Sequence, residues 1–140
     1  MRVLIFAAAV AILVLAYFHG ARRARKQVLS RFSSRSPRTA GQFASEFYGE
    51  LNEDQRVEEA LCHLASELEM PLQFLLPTDR FDHELRAVPG WGFYSGHGLL
   101  FRELHVWSRA KGLNALLDPI RTLDDYIKAF LLLAPRGLNA

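Results

Sequence analysis

A serine and a histidine that could take part in acyl transfer, Ser95 and His97, lie in the glycine- and aromatic-rich stretch of residues 89–98. A histidine base beside a serine can activate its hydroxyl as a nucleophile. The nucleophile elbow of serine hydrolases, however, requires Gly-x-Ser-x-Gly, and here the two glycine positions hold Phe93 and His97. Serine is common in glycine turns for conformational reasons. The sequence therefore predicts no catalytic residue in this stretch.

Two other groups of reactive side chains have structural explanations. Cys62 and His63 are adjacent, so on a helix their side chains diverge by about 100°, and His63 is spaced for a surface pair with Glu67. Three carboxylates and a histidine lie close together within residues 79–84. A metal site would also require a second histidine or cysteine at a characteristic spacing, and the sequence has none there. The single cysteine also excludes a disulfide framework within the chain. We expect no metal site. The acidic group comprises Asp79, Asp82, His83 and Glu84.

The aromatic side chains of the same glycine-rich stretch are candidates for binding. Its glycines lack the lysine of a phosphate-binding loop and the spacing of a dinucleotide fingerprint. They would instead let Trp91, Phe93 and Tyr94 fold back onto the core or onto a partner. The sequence predicts these three as partner-binding residues.

Charge is segregated along the 140 residues. Residues 1–40 hold eight Lys/Arg and no Asp/Glu, whereas residues 41–140 hold nine Lys/Arg against fifteen Asp/Glu. The calculated pI of 8.9 therefore describes neither half, and we expect no nucleic-acid partner. A content of 50% hydrophobic residues excludes a disordered chain.

An uncharged apolar run at residues 3–18 predicts a membrane segment. The interval between Arg2 and Arg22 would span about 28 Å as a helix, close to the thickness of the hydrocarbon core of a bilayer. We expect residues 1–21 to be a single-pass transmembrane anchor of the cell membrane, with the C-terminal domain cytoplasmic because the basic residues follow the run. A signal peptide cleaved after Ala16 is the alternative.

Residues 22–38 are predicted to form a basic juxtamembrane linker. Cations close to a bilayer are attracted to anionic headgroups. The linker's first part is therefore the predicted lipid contact, and its last part, residues 33–38, a flexible tether. The lipid-contacting residues would be Arg22, Arg23, Arg25 and Lys26.

Residues 39–140 are predicted to form a small acidic helical domain. Thr39 with Gln42 and Thr122 with Asp125 have the spacing of capping boxes at two helix starts. Between them, helical periodicity predicts helices over about residues 54–69 and 99–111, the second stopped by Gly112. The expected fold class is all-α: the transmembrane helix followed by a bundle of about four helices.

The order of these elements resembles the acyl carrier protein fold over residues 54–133. The segments that carry the resemblance are Leu-Pro-Thr-Asp-Arg-Phe-Asp-His-Glu-Leu at residues 76–85 and Ile-Arg-Thr-Leu-Asp-Asp-Tyr-Ile-Lys-Ala-Phe at residues 120–130. The resemblance implies that Asp79 caps the loop and that Phe81 anchors it. The Asp-Ser-Leu motif that bears phosphopantetheine is missing, and Ser95 is the serine near its place.

The sequence favours a membrane-tethered, non-enzymatic protein-interaction module that uses no cofactor and binds an unidentified protein. The alternative is a carrier that bears phosphopantetheine on Ser95 and serves acyl or peptidyl transfer. Neither reading sets the oligomeric state.

Overall fold

A computed structural model of the chain describes residues 19–20, 23, 26–86, 96–113 and 120–136. Contacts divide the chain into two units, residues 1–33 and residues 34–140. In the first unit residues 26–31 are helical. The hydroxyls of Ser30 and Ser33 donate to the carbonyls of Gln27 and Ser30, three residues earlier in each case, at 2.8 and 3.0 Å.

Four α-helices make up most of the described part of the second unit: α1 (Ala40–Tyr48), α2 (Asp54–Glu67), α3 (Gly96–Ala110) and α4 (Leu123–Leu133). Two short 3-10 turns, Gly49–Leu51 and Leu72–Phe74, lie in the connections. Helix α2 is central, because it packs against each of the other three, and α3 also packs against α4. The described residues contain no β-strand, so the prediction of a helical bundle agrees with the structure.

Both predicted capping boxes are confirmed. The Thr39 hydroxyl accepts from the Gln42 amide at 3.1 Å, while the Gln42 side chain accepts from the Thr39 amide at 2.9 Å. Thr122 and Asp125 make the same reciprocal pair at 3.2 and 2.9 Å. Each box satisfies two amides that have no partner within the first helical turn. Helices α1 and α4 therefore begin where their local sequence directs.

The other helix ends differ slightly from the prediction. Helix α2 stops at Glu67, since Glu69 adopts a left-handed φ of 51° and the chain turns there. Helix α3 begins at Gly96, three residues before the predicted start. It ends as expected, because Gly112 has a φ of +69° and the Leu113 amide bonds back to the Ser108 carbonyl at 2.9 Å.

The core of the second unit is formed by side chains at helical spacing. Phe43 is buried, whereas Phe47 and Leu51, which follow it at four-residue spacing, are exposed. The apolar faces of α2 and α4 are buried at most positions. The large side chains fully buried on these two helices are Val57, Leu61, Leu64, Leu123, Tyr126, Ile127 and Phe130.

The predicted transmembrane anchor requires correction. Among the helices of the described residues, none combines the length and apolar character that a bilayer crossing demands. The single-pass fold and the cell-membrane location predicted from residues 1–21 are contradicted by this finding. Of that range, residues 1–18 and 21 lie outside the described residues.

Residues 34–38, predicted to be the end of a flexible tether, instead belong to the second unit. The Arg35 guanidinium pairs with both carboxylate oxygens of Asp79 at 2.6 and 2.8 Å, and donates to the Phe74 carbonyl at 2.8 Å. The Arg38 amide donates to the Gln73 carbonyl at 2.8 Å. Because Asp79 is only 1% exposed, Arg35 supplies the charge that a buried carboxylate needs.

Candidate interaction surface

A chain of three polar side chains joins α2, α3 and α4. His63 of α2 holds the Tyr126 hydroxyl of α4 with Nδ1 at 2.8 Å, and its Nε2 lies 2.9 Å from a carboxylate oxygen of Glu103 on α3. The three side chains run from the core to the surface, since Tyr126 is fully buried, His63 is 17% exposed and Glu103 is 43% exposed. Burial, with the nearby carboxylates of Glu103 and Glu67, raises the pKa of Tyr126, so the phenol stays protonated.

Aromatic rings pack around these three polar side chains and fix the position of Trp107. The His63 ring lies 6.2 Å from the Trp107 ring and 5.8 Å from the Phe130 ring, centroid to centroid. Trp107 and Phe130 meet edge to face at 5.7 Å. Such pairs contribute beyond their buried area. Trp107 is therefore held at the core's edge and is half-buried.

The outward side of α3 is an apolar stripe with two charges at its middle, named the α3 surface below. Val106 is 58% exposed and Leu99 is 37% exposed, one on each side of the charged pair. A shallow concavity of about 210 Å³ follows this stripe. Single exposed apolar residues are ordinary on protein surfaces, but here they share one helix face and one concavity. Its lining residues are Leu99, Arg102, Glu103, Val106 and Trp107.

The two charges of the α3 surface have opposite signs and adjacent positions. Arg102 is exposed. The Glu103 oxygen that faces His63 is buried and makes no aligned hydrogen bond within the described part of the chain. A carboxylate offers about four lone-pair positions. Because the Glu103 side chain is also 43% exposed, its carboxylate retains acceptor capacity for a cation from outside the chain.

Backbone contacts at the start of α3 set the position of this surface. A Cβ at Gly96 would collide with the Glu67 carbonyl at the end of α2. At the next position, His97 Nε2 lies 2.8 Å from the Leu85 carbonyl, and its ring meets Phe81 edge to face at 5.5 Å. Helix α3 therefore approaches α2 more closely than any side chain at position 96 would allow.

The loop between α2 and α3 is fixed to the start of α4. Arg80 and Thr122 form an isolated antiparallel bridge, and the Leu123 amide donates to the Asp79 carbonyl at 2.8 Å. The Asp79 carboxylate accepts from the Leu76 amide at 2.8 Å. The Phe81 ring contacts those of Phe101 and Tyr126 at 5.2 and 6.4 Å. Asp79 and Phe81 thus cap and anchor this loop, the roles that the carrier resemblance implied.

The candidate residues of the glycine-rich loop lie outside the described residues, namely Trp91, Phe93, Tyr94 and Ser95. Of the predicted lipid contacts, Arg23 and Lys26 are exposed, while Arg22 and Arg25 fall outside the described residues. The structure therefore brings none of these candidates together, and their roles stay predictions.

Sequence reasoning missed the partners of His63. The expected neighbour was Glu67, one turn away, whereas the contacts made are to Tyr126 and Glu103 on other helices. No local spacing signals contacts between helices so distant in sequence. Cys62 next to it is exposed, and the described residues contain no group of side chains arranged to hold a metal ion.

Comparison with known proteins does not identify a function for this surface. The sequence matches no family model, and searches of curated proteins and of solved structures find no relative.

Proposed function

We propose that the chain is a non-enzymatic protein-interaction module and that the α3 surface is its binding face. The observation that carries this proposal is the exposure of Leu99 and Val106 on one helix face, beside the half-buried Trp107. Tryptophan and arginine are the side chains most often responsible for binding energy at interfaces, and Arg102 lies between the two apolar residues. An apolar strip with polar neighbours is the composition of an interface core and rim.

The polar chain behind the surface favours binding over catalysis. Both ring nitrogens of His63 face groups of the protein itself, at 2.8 and 2.9 Å, and the Tyr126 phenol is buried. These contacts hold Glu103 and the adjacent Trp107 ring in place before a partner arrives. Preorganisation of this kind lowers the entropic cost of association.

Site-specific photocrosslinking in cells tests the proposal. A benzophenone amino acid at position 106 should give one defined protein adduct. The same amino acid at Ser45, an exposed position of α1, is the matched control and should not give that adduct. Adding Leu99→Asp should reduce its yield about tenfold. Equal adducts from both positions, or none from position 106, would contradict the proposal.

The carrier alternative rests on the position of Ser95, which directly precedes the first residue of α3. In carrier proteins the modified serine opens the helix that follows the long loop. Incubation of the full chain with coenzyme A and a phosphopantetheinyl transferase, followed by intact-mass measurement, tests it. A mass gain that is lost in Ser95→Ala would favour the carrier function, and an unchanged mass would reject it.

A further inference from the structure

We infer that the α3 surface binds a second copy of this chain, in an antiparallel pair of α3 helices related by a two-fold axis. This inference rests on the proposed function and names its partner. It follows from the order of the residues along the helix, which makes the surface complementary to itself.

The two-fold axis passes between Arg102 and Glu103. In an antiparallel pair centred there, each residue faces the residue equally far from the centre on the other helix. Leu99 then faces the partner's Val106, and Arg102 faces the partner's Glu103. Each contact occurs twice, as it must in a symmetric interface. The pair therefore joins apolar to apolar and cation to anion at every one of these positions.

The remaining positions of the surface fit the same register. Trp107 faces the partner's Gly98, which is exposed and has no side chain to obstruct an indole ring. Leu99 and Val106 lie about 10 Å apart along the helix axis, so two apolar contacts flank the central charges. The Glu103 side chain is 43% exposed, so its carboxylate is accessible to the partner's Arg102.

The area involved sets the expected strength. One face of a helix of 15 residues buries less than the roughly 1,200 Å² typical of stable complexes. We therefore expect a weak, reversible dimer with a dissociation constant on the order of 0.1 mM. Its two ion pairs are solvent-accessible, so added salt should weaken it.

Charge-reversal variants of the full chain provide the test. In Arg102→Glu the two central contacts become carboxylate against carboxylate, and in Glu103→Arg they become guanidinium against guanidinium. Each variant alone should associate at least about tenfold more weakly than the natural chain. When the two are mixed, both contacts join opposite charges again. The mixture should recover association to within about threefold of the natural chain.

Fluorescence-detected sedimentation measures these species, with a dye on the exposed Cys62 of one variant and the other variant unlabelled in excess. Arg121→Glu, which changes the same charge at an exposed site outside α3, is the control and should dimerise normally. Recovery in the mixture also shows that neither variant is misfolded. Far-ultraviolet circular dichroism of each variant should match that of the natural chain.

Three results would overturn the inference: a natural chain that remains monomeric up to 1 mM, on the order of ten times the expected dissociation constant; a dimer unaffected by either reversal; or a mixture that fails to associate. The crosslinking experiment separates this failure from failure of the proposed function. A different protein crosslinked from position 106 by a monomeric chain would leave the binding face in place and reject only the second copy as its partner.

Discussion

Replacing Gly96 by alanine should destabilise the helical unit by about 2 kcal/mol. A Cβ at this position would lie 2.8 Å from the Glu67 carbonyl carbon, whereas carbon atoms in contact prefer about 3.5 Å or more. The carbonyl oxygen is closer still, so relief requires α3 to move from α2 by at least roughly 0.7 Å. A gap of that size forfeits a quarter to a half of the dispersion energy of each contact. Leu100 and Leu104, both fully buried on α3, would be affected most. Burial of each contributes about 1.5–3 kcal/mol, and losing a quarter to a half of that at both positions gives the expected total.

Urea denaturation of the full chain, followed by circular dichroism, measures this change. The midpoint should fall by about 1 M. Gly49→Ala is the matched control: its φ is −54° and a Cβ there meets nothing within 4 Å, so it should be neutral or slightly stabilising. The same small stabilisation from replacing glycine by alanine applies at position 96, where the collision should outweigh it. A Gly96→Ala chain as stable as the natural one would therefore refute the assigned contact between α2 and α3.

Three further predictions concern buried polar groups. Arg35→Met should lower the free energy of unfolding by about 3 kcal/mol, because it leaves the Asp79 carboxylate buried without its cation; an unchanged urea midpoint would contradict the pairing. Burial lowers the pKa of His97 from its ordinary 6.5, so below about pH 6.5 the unfolded chain binds more protons and stability should fall as the pH falls. In His97→Phe the urea midpoint should depend less on pH between about pH 7 and 5 than it does in the natural chain. An identical pH dependence in the two proteins would disprove the lowered pKa of His97. Tyr126→Phe should cost about 1 kcal/mol by removing the hydrogen bond to His63, and the deficit should disappear in a His63→Phe background, as a double-mutant cycle would show.

Local signals in the sequence located helix ends well. The Thr39 and Thr122 capping boxes and the Gly112 stop each depend on residues within one turn of one another, so spacing alone identifies them. The start of α3 was placed too late because Gly96, His97 and Gly98 are typical of a loop. The close approach of position 96 to α2 is a contact between two helices, which no local pattern contains.

The candidate surface was much harder to predict. His63 and Tyr126 are 63 residues apart, and only the packing of α2 against α4 brings them together. Trp107 shares a helical face with Leu100 and Leu104, so periodicity places it in the core. The structure places it at the core's edge, because His63 and Phe130 support its ring from one side. Exposure at such a boundary depends on how helices are arranged, which side-chain periodicity does not specify.

The ion pair between Arg35 and Asp79 determines how tension on the amino-terminal segment would reach the folded unit. Within the second unit, a pull applied at residue 34 is resisted first by the Arg35 side chain, which is bonded to Phe74 and to Asp79, in the loop that is bonded to the start of α4. Helix α1 follows Arg35 in the chain and is shielded from that pull until the guanidinium detaches. Mechanical unravelling from this end should therefore begin with loss of the Arg35 contacts, continue with loss of the bond from the Arg38 amide to the Gln73 carbonyl, and proceed to α1 only afterwards.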